Sequence, residues 1–266
     1  MQKSVKLADD ARKAYLAEEG GGPTKGVFVA LSLEPFGSAV KPPQDFGGFY
    51  PPPFGPEGPH FDSKRAEGPG NTRLFSSDAG VVVEEKKAIE ALAEFHLWRL
   101  RAVASNPEIW NCIDYVAFET IPHLRELRAI KVAMARFDAG ARGTRGGGKL
   151  KWLKGWWLSL VFPDGEGSIQ WDPEEREHQT RSLGVNFTLD SGQSEILNVV
   201  LDDRTGAVPT GFGLNCTRID RYPSVLSSII SGSGSGSPSE EGRNSPVPLM
   251  LVATERTKAL LAWWNR

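Results

Sequence analysis

Four short, continuous apolar runs, spaced along the chain by long polar or amphipathic stretches, set the strongest limit on its fold. They are Val27–Leu33 (VFVALSL), Ile113–Phe118 (IDYVAF), Trp156–Phe162 (WWLSLVF) and Gly211–Asn215 (GFGLN). A run this short without polar alternation predicts a strand covered on both faces, as in a parallel sheet. The intervening segments read as helices. Lys3–Glu18 places Val5, Leu7, Ala8, Ala11 and Ala14 near one face. Val83–Ala104 carries a wide apolar stripe of Ile89, Leu92, Ala93, Phe95, His96, Leu97 and Leu100. Pro122 opens a further helix in its first turn, where a missing N–H costs nothing. Leu124, Leu127, Ile130, Met134 and Phe137 continue it at spacings of three and four, which assigns Arg125, Glu126, Arg128 and Lys131 to the wet side. Gln193–Leu201 and Pro223–Ile230 read as shorter helices, Leu249–Ala253 as one more strand and Glu255–Trp264 as a last helix. Strands alternating with helices predict parallel βαβ units and an α/β fold.

The connections divide the chain. Pro35–Gly70, rich in Pro, Gly and aromatics, is too long for a simple connector. Ala139–Gly148 is a Gly- and Arg-rich loop, and Asp164–Arg181 a polar insertion. Ser231–Pro246 (SGSGSGSPSEEGRNSP) has the composition of a flexible linker. The expected organisation is therefore a domain over 1–230, a linker over 231–247 and a strand–helix remnant over 248–266. A net charge of −2 gives no reason to expect nucleic acid or an anionic membrane as partner. No apolar stretch is long enough to span a bilayer. The first residues lack an apolar signal core. Two cysteines, Cys112 and Cys216, exclude a disulfide scaffold. Together these features favour the cytoplasm.

Three strand ends carry candidate chemistry. Gly213-Leu214-Asn215-Cys216-Thr217 places a thiol where active sites of α/β barrels lie; it can ligate zinc or act as a nucleophile. The plain alternative is an inert buried cysteine. Phe118-Glu119-Thr120-Ile121-Pro122 places a carboxylate between a strand and a helix, suited either to an amine or to the helix dipole. Ser32-Leu33-Glu34-Pro35-Phe36-Gly37 opens the long loop, and reads equally as a tight turn in which Gly37 takes positive φ. His96 reads as a satisfied helix-face histidine and His123 as an exposed first-turn residue. His60 and His178 fall in loops, and no histidine pair has metal-ligand spacing. Cys112 precedes a strand, at the end away from catalysis, and reads as packing. Gly146-Gly147-Gly148-Lys149 lacks the rest of a P-loop.

In this order the motifs resemble the homocysteine S-methyltransferase family. SLEPFGSAV (Ser32–Val40) is similar to its S-x-G-P-Y-G-A segment, DYVAFETIPHLRELRAI (Asp114–Ile130) to its D-x-x-x-F-E-T-I-P-x-x-x-E-x-x-A segment, and GFGLNCT (Gly211–Thr217) to its V-G-x-N-C-T segment. WWLSLVF is similar to its fifth strand, and VKLADDARKAY to the helix before its third. The resemblance implies a (β/α)8 barrel, here partial, with no recognisable first, second and last strands. It implies methyl transfer from a sulfonium donor, S-methylmethionine or S-adenosylmethionine, to zinc-bound homocysteine thiolate, giving methionine. By resemblance Glu119 binds the substrate amino group, Ser32, Phe36 and Asn215 line the pocket, and Cys216 is a zinc ligand. The family's zinc is held by three cysteines, two of them in a C-terminal GGCC segment. No cysteine follows Cys216, and the family's D-G-x-x-G-T motif has no counterpart either. Glu34 stands where the family has glycine. A second reading therefore stands beside the enzyme: a catalytically inactive or incomplete barrel descendant that serves as a binding or vestigial module.

Overall fold

All the apolar runs become strands of one parallel sheet. The computed structural model describes residues 1–18, 27–41, 43–56, 81–143, 154–162, 196, 199–217 and 249–251. The elements are α1 (Gln2–Glu18), β1 (Ala30–Leu33), α2 (Val81–Ala104), α3 (Pro107–Asn111), β2 (Tyr115–Ile121), α4 (Leu124–Gly143), β3 (Gly155–Leu160), β4 (Gly211–Leu214) and β5 (Leu249–Leu251). The sheet runs β1-β2-β3-β4-β5 in sequence order, and every neighbouring pair is parallel. The expected α/β class and the order of the first four strands hold. The described sheet is open, not a closed barrel. The Asp164–Arg181 insertion, the Pro223–Ile230 and Glu255–Trp264 helices and the Ser231–Pro246 linker lie outside the described residues.

Helices α2 and α4 cover one face of the sheet. Leu92, Leu97 and Leu100 from α2 and Leu127, Ile130 and Met134 from α4 share one core with Leu31, Leu33, Val116, Phe118, Leu158, Leu160 and Leu214. Each such side chain contributes about 1.5–3 kcal/mol relative to exposure, so this layer is the main source of stability. Strand β1 departs from expectation. Leu31 and Leu33 are buried, but Ala30 and Ser32 are exposed, so the run is covered on one face only. Helix α1 departs too: only Val5 and Asp9 are buried, and Leu7 is exposed. It docks mainly through polar bonds. Arg12 Nη1 donates to Asp114 Oδ2 at 2.6 Å, and Gln2 Nε2 donates to the Ala102 carbonyl at 3.0 Å.

Helix α4 begins at Leu124, two residues after Pro122, and continues through Gly143 into the segment read as a loop. Its polar residues overturn the expected wet side. Arg125, Glu126 and Lys131 are all buried, whereas Arg128 is half-buried. Lys131 Nζ donates to the backbone carbonyls of Val199, Val200 and Asp202, ending the helical turn there. A charged side chain takes this buried place because carbonyls at a helix end have no partner of their own and carry partial negative charge.

Candidate functional site

The C-terminal ends of β1, β2 and β4 carry the candidate residues. Ser32 lies third in β1 and its hydroxyl donates to Glu119 Oε2. Glu119, half-buried, lies fifth in β2, so the carboxylate is held by a strand neighbour before any helix begins. Helix α4 starts five residues later. Cys216 lies two residues beyond the end of β4 and is exposed, which removes the inert buried cysteine from consideration.

Thr120 joins the second and fourth strands. Its backbone N–H donates to Asn215 Oδ1 at 2.8 Å, and Asn215 Nδ2 donates to Thr120 Oγ1 at 2.9 Å. The amide's orientation follows from the donors: an N–H must face an oxygen. With Oγ1 already accepting, the Thr120 hydroxyl hydrogen is left for Cys216 Sγ, 3.7 Å away. Thr120 has φ +59° and Cys216 φ +49°. Left-handed backbone in a β-branched residue is strained and persists only where neighbours hold it. Here the Asn215 clamp holds it, and the register between β2 and β3 shifts at the same place, between Phe118 and Ile121. Asn215 is 5 % exposed, and both ends of its amide are engaged by Thr120.

Phe36 occupies a different position. Its ring is buried against Phe54, centroids 4.0 Å apart, with Tyr50 and Phe95 edge-on. Its backbone N–H donates to Glu126 Oε1 at 2.6 Å. Phe36 thus anchors the loop after β1, which begins with a 3₁₀ turn over Phe36–Ala39. Gly37 in that turn is not at positive φ. A side chain there would strike the Gln44 carbonyl oxygen, 2.3 Å from the position of its Cβ, so closeness of backbones explains the glycine. The same loop continues through residue 56; residues 57–80 lie outside the described ones.

Glu126 is the hub beneath the loop. Besides Phe36 it accepts from the Tyr50 hydroxyl and from His96 Nε2 at 3.0 Å. Arg99 Nη2 lies 2.6 Å from His96 Nδ1. A guanidinium only donates, so Nδ1 accepts and Nε2 carries the proton. His96 is therefore neutral. Burial pushes its pKa below the ordinary 6.5, and the Arg99 charge works the same way, against the pull of Glu126. Burial works to raise the Glu126 carboxyl, but the bonds from His96 and Tyr50 outweigh it and hold it low. His96 thus takes the satisfied role read from its helical stripe. His123, expected exposed, is buried; its Nδ1 accepts from Glu126 N–H at 3.2 Å.

The donor set at Cys216 does not fit the three-cysteine zinc site that the resemblance implies. Cys112 bonds the Glu108 carbonyl at the other end of β2, and the sequence has no third cysteine. Among the described residues no three of His, Cys, Asp and Glu converge as a metal site needs. His60 and His178 lie outside those residues. Among the described residues no helix is long and apolar enough to cross a membrane.

Sequence reasoning found Glu119, Asn215 and Cys216 as strand-end residues. It placed Glu126 on the wet side and so missed the hub, although Glu126 matches the second glutamate of the F-E-T-I-P-x-x-x-E segment. It matched the serine of WWLSLVF to the family's fifth strand but gave Ser159 no role.

A family model described as homocysteine S-methyltransferase matches residues 1–259. No curated protein and no solved structure matches the chain.

Proposed function

We propose, because the chain belongs to the homocysteine S-methyltransferase family, that the strand-end site binds homocysteine and serves methyl transfer to its thiol. The supporting observation is the Ser32–Glu119 pair beside the Asn215–Thr120–Cys216 chain, both at strand C-termini. In an α/β barrel that end holds the active site. Glu119 takes the substrate ammonium, and its hydrogen bond from Ser32 fixes the carboxylate in place. Asn215 acts through Thr120 rather than by touching the substrate. Phe36 acts by anchoring the loop. The sheet is read as part of a partial (β/α)8 barrel, its first four strands within 1–230 and β5 from the strand–helix segment that follows.

The reaction joins the homocysteine sulfur to a methyl carbon while the bond from that carbon to a sulfonium sulfur breaks. The donor leaves as a neutral sulfide, the thiol proton is released, and the product is methionine. The donor is S-methylmethionine or S-adenosylmethionine, and the setting is the cytoplasm. In the family zinc stabilises the attacking thiolate. Cys216 is the one thiol at this site, too few for the family's three-cysteine zinc centre.

That same observation favours a second reading, a homocysteine-binding module without turnover. A methionine-forming assay with homocysteine and each donor, run beside zinc quantification, separates the two. Turnover abolished by Cys216→Ala supports the enzyme. Homocysteine binding without turnover or zinc supports the module. Neither binding nor turnover would contradict both.

A further inference from the structure

The sheet face turned away from α2 and α4 carries one more polar group. On β3, Trp156, Leu158 and Leu160 belong to the shared core, so Trp157 and Ser159 lie on the opposite face. On β2, Val116 and Phe118 are core residues, which puts Ala117 and Glu119 on that same opposite face. Phe118 pairs with Leu158 and Ile121 with Leu160, so the register shift at Glu119–Thr120 lies beside Ser159 on the neighbouring strand. Ser159 pairs in turn with Gly213 of β4, which has no side chain to offer it a partner. Ser159 is 0 % exposed, and its hydroxyl makes no hydrogen bond among the described residues.

A buried hydroxyl without a partner is costly, and native proteins seldom keep one. Alanine or glycine would fill the same place without that cost. We propose that Ser159 is a substrate-binding residue whose O–H donates to the carboxylate of an α-amino acid held by its ammonium at Glu119. This rests on the homocysteine reading and deepens it. The two residues sit on adjacent strands, and neighbouring strands lie about 4.8 Å apart in the hydrogen-bonding direction. An α-amino acid bears its two charges on either side of one carbon, which suits that spacing. A buried hydroxyl donating to a carboxylate forms a strong, charge-assisted bond. Together the pair reads the zwitterion: Glu119 demands the ammonium and Ser159 the carboxylate.

The test is calorimetric titration of the full chain, wild type and Ser159→Ala, with two thiols. Homocysteine carries both charged groups; 3-amino-1-propanethiol keeps the amine and thiol but lacks the carboxylate. Ser159→Ala is expected to weaken homocysteine binding about tenfold or more, the loss of one bond to a charged group. The affinity for 3-amino-1-propanethiol stays unchanged, while Glu119→Gln weakens both. Thermal unfolding of Ser159→Ala is expected at or above the wild-type midpoint, because an unsatisfied group has been removed. Ser159→Cys, which keeps the volume and offers a poor donor, should bind homocysteine as weakly as the alanine variant. Undiminished homocysteine binding by Ser159→Ala would overturn the proposal while leaving the homocysteine reading intact. Equal losses for both thiols would also overturn it. Wild-type chain that binds no homocysteine would overturn both.

Discussion

Asn215 grips Thr120 by both ends of its amide, accepting from the backbone N–H at 2.8 Å and donating to the hydroxyl at 2.9 Å. That relationship ties the end of β2 to the end of β4 across β3. It also holds Thr120 at φ +59°, where a β-branched residue does not rest unaided. Asn215→Ala removes both bonds and leaves a buried N–H unpaired. We expect a loss of about 2–3 kcal/mol in chemical denaturation. Thr120→Gly in the Asn215→Ala background should recover part of it, since glycine takes positive φ without strain. No recovery would show that the clamp does not hold a strained backbone.

Glu126 ties the loop after β1, at Phe36 and Tyr50, to α2 at His96. Glu126→Ala strands a buried backbone N–H, a phenol and an imidazole together. A loss of about 3–5 kcal/mol is expected, the range for breaking a buried charged network. Glu126→Gln, which keeps one carbonyl acceptor, should cost less. Denaturation midpoints of both variants check the order.

His96 makes stability depend on pH above the carboxylate range. Burial and Arg99 keep it neutral in the folded chain, whereas the unfolded chain protonates it near 6.5. The unfolded state then binds more protons, so stability falls as pH drops below about 6.5. The slope from this one group is at most about 1.4 kcal/mol per pH unit. In His96→Gln the amide still donates to Glu126 without titrating. Its stability curve between pH 6.5 and 5 should be shallower than that of the wild type. Equal slopes would show that His96 is protonated in the folded chain.

Lys131 ends the helical turn near Val200 by donating to three carbonyls. Lys131→Met keeps the stem and removes the donor. A loss of about 1–3 kcal/mol is expected from thermal unfolding, as for buried acceptors left unpaired. A loss below about 0.5 kcal/mol would mean that other groups satisfy those carbonyls.

Local pattern sufficed for the strands. Each apolar run needs cover, and a parallel sheet supplies it, so Ile113–Phe118 and Trp156–Phe162 were legible within a few residues. The polar residues of α4 were not. Arg125, Glu126 and Lys131 read as wet by chemistry alone, and their burial depends on partners as far away as Phe36 and Val199. Nor does a sequence mark a threonine as strained, because φ at Thr120 is set by a bond to Asn215, 95 positions later. Of the site, Glu119 and Cys216 stood out through the motifs that resemble the family, since at a strand end alone each read as readily as a structural residue. Ser159 did not, since one alcohol inside a buried strand gives no periodic signal.

The most direct test of the central claim is calorimetric binding of homocysteine to wild-type chain and to Glu119→Gln. The account predicts saturable binding by the wild type, and affinity at least about tenfold weaker once the carboxylate is neutralised. Equal binding by both proteins, or none by the wild type, would contradict it.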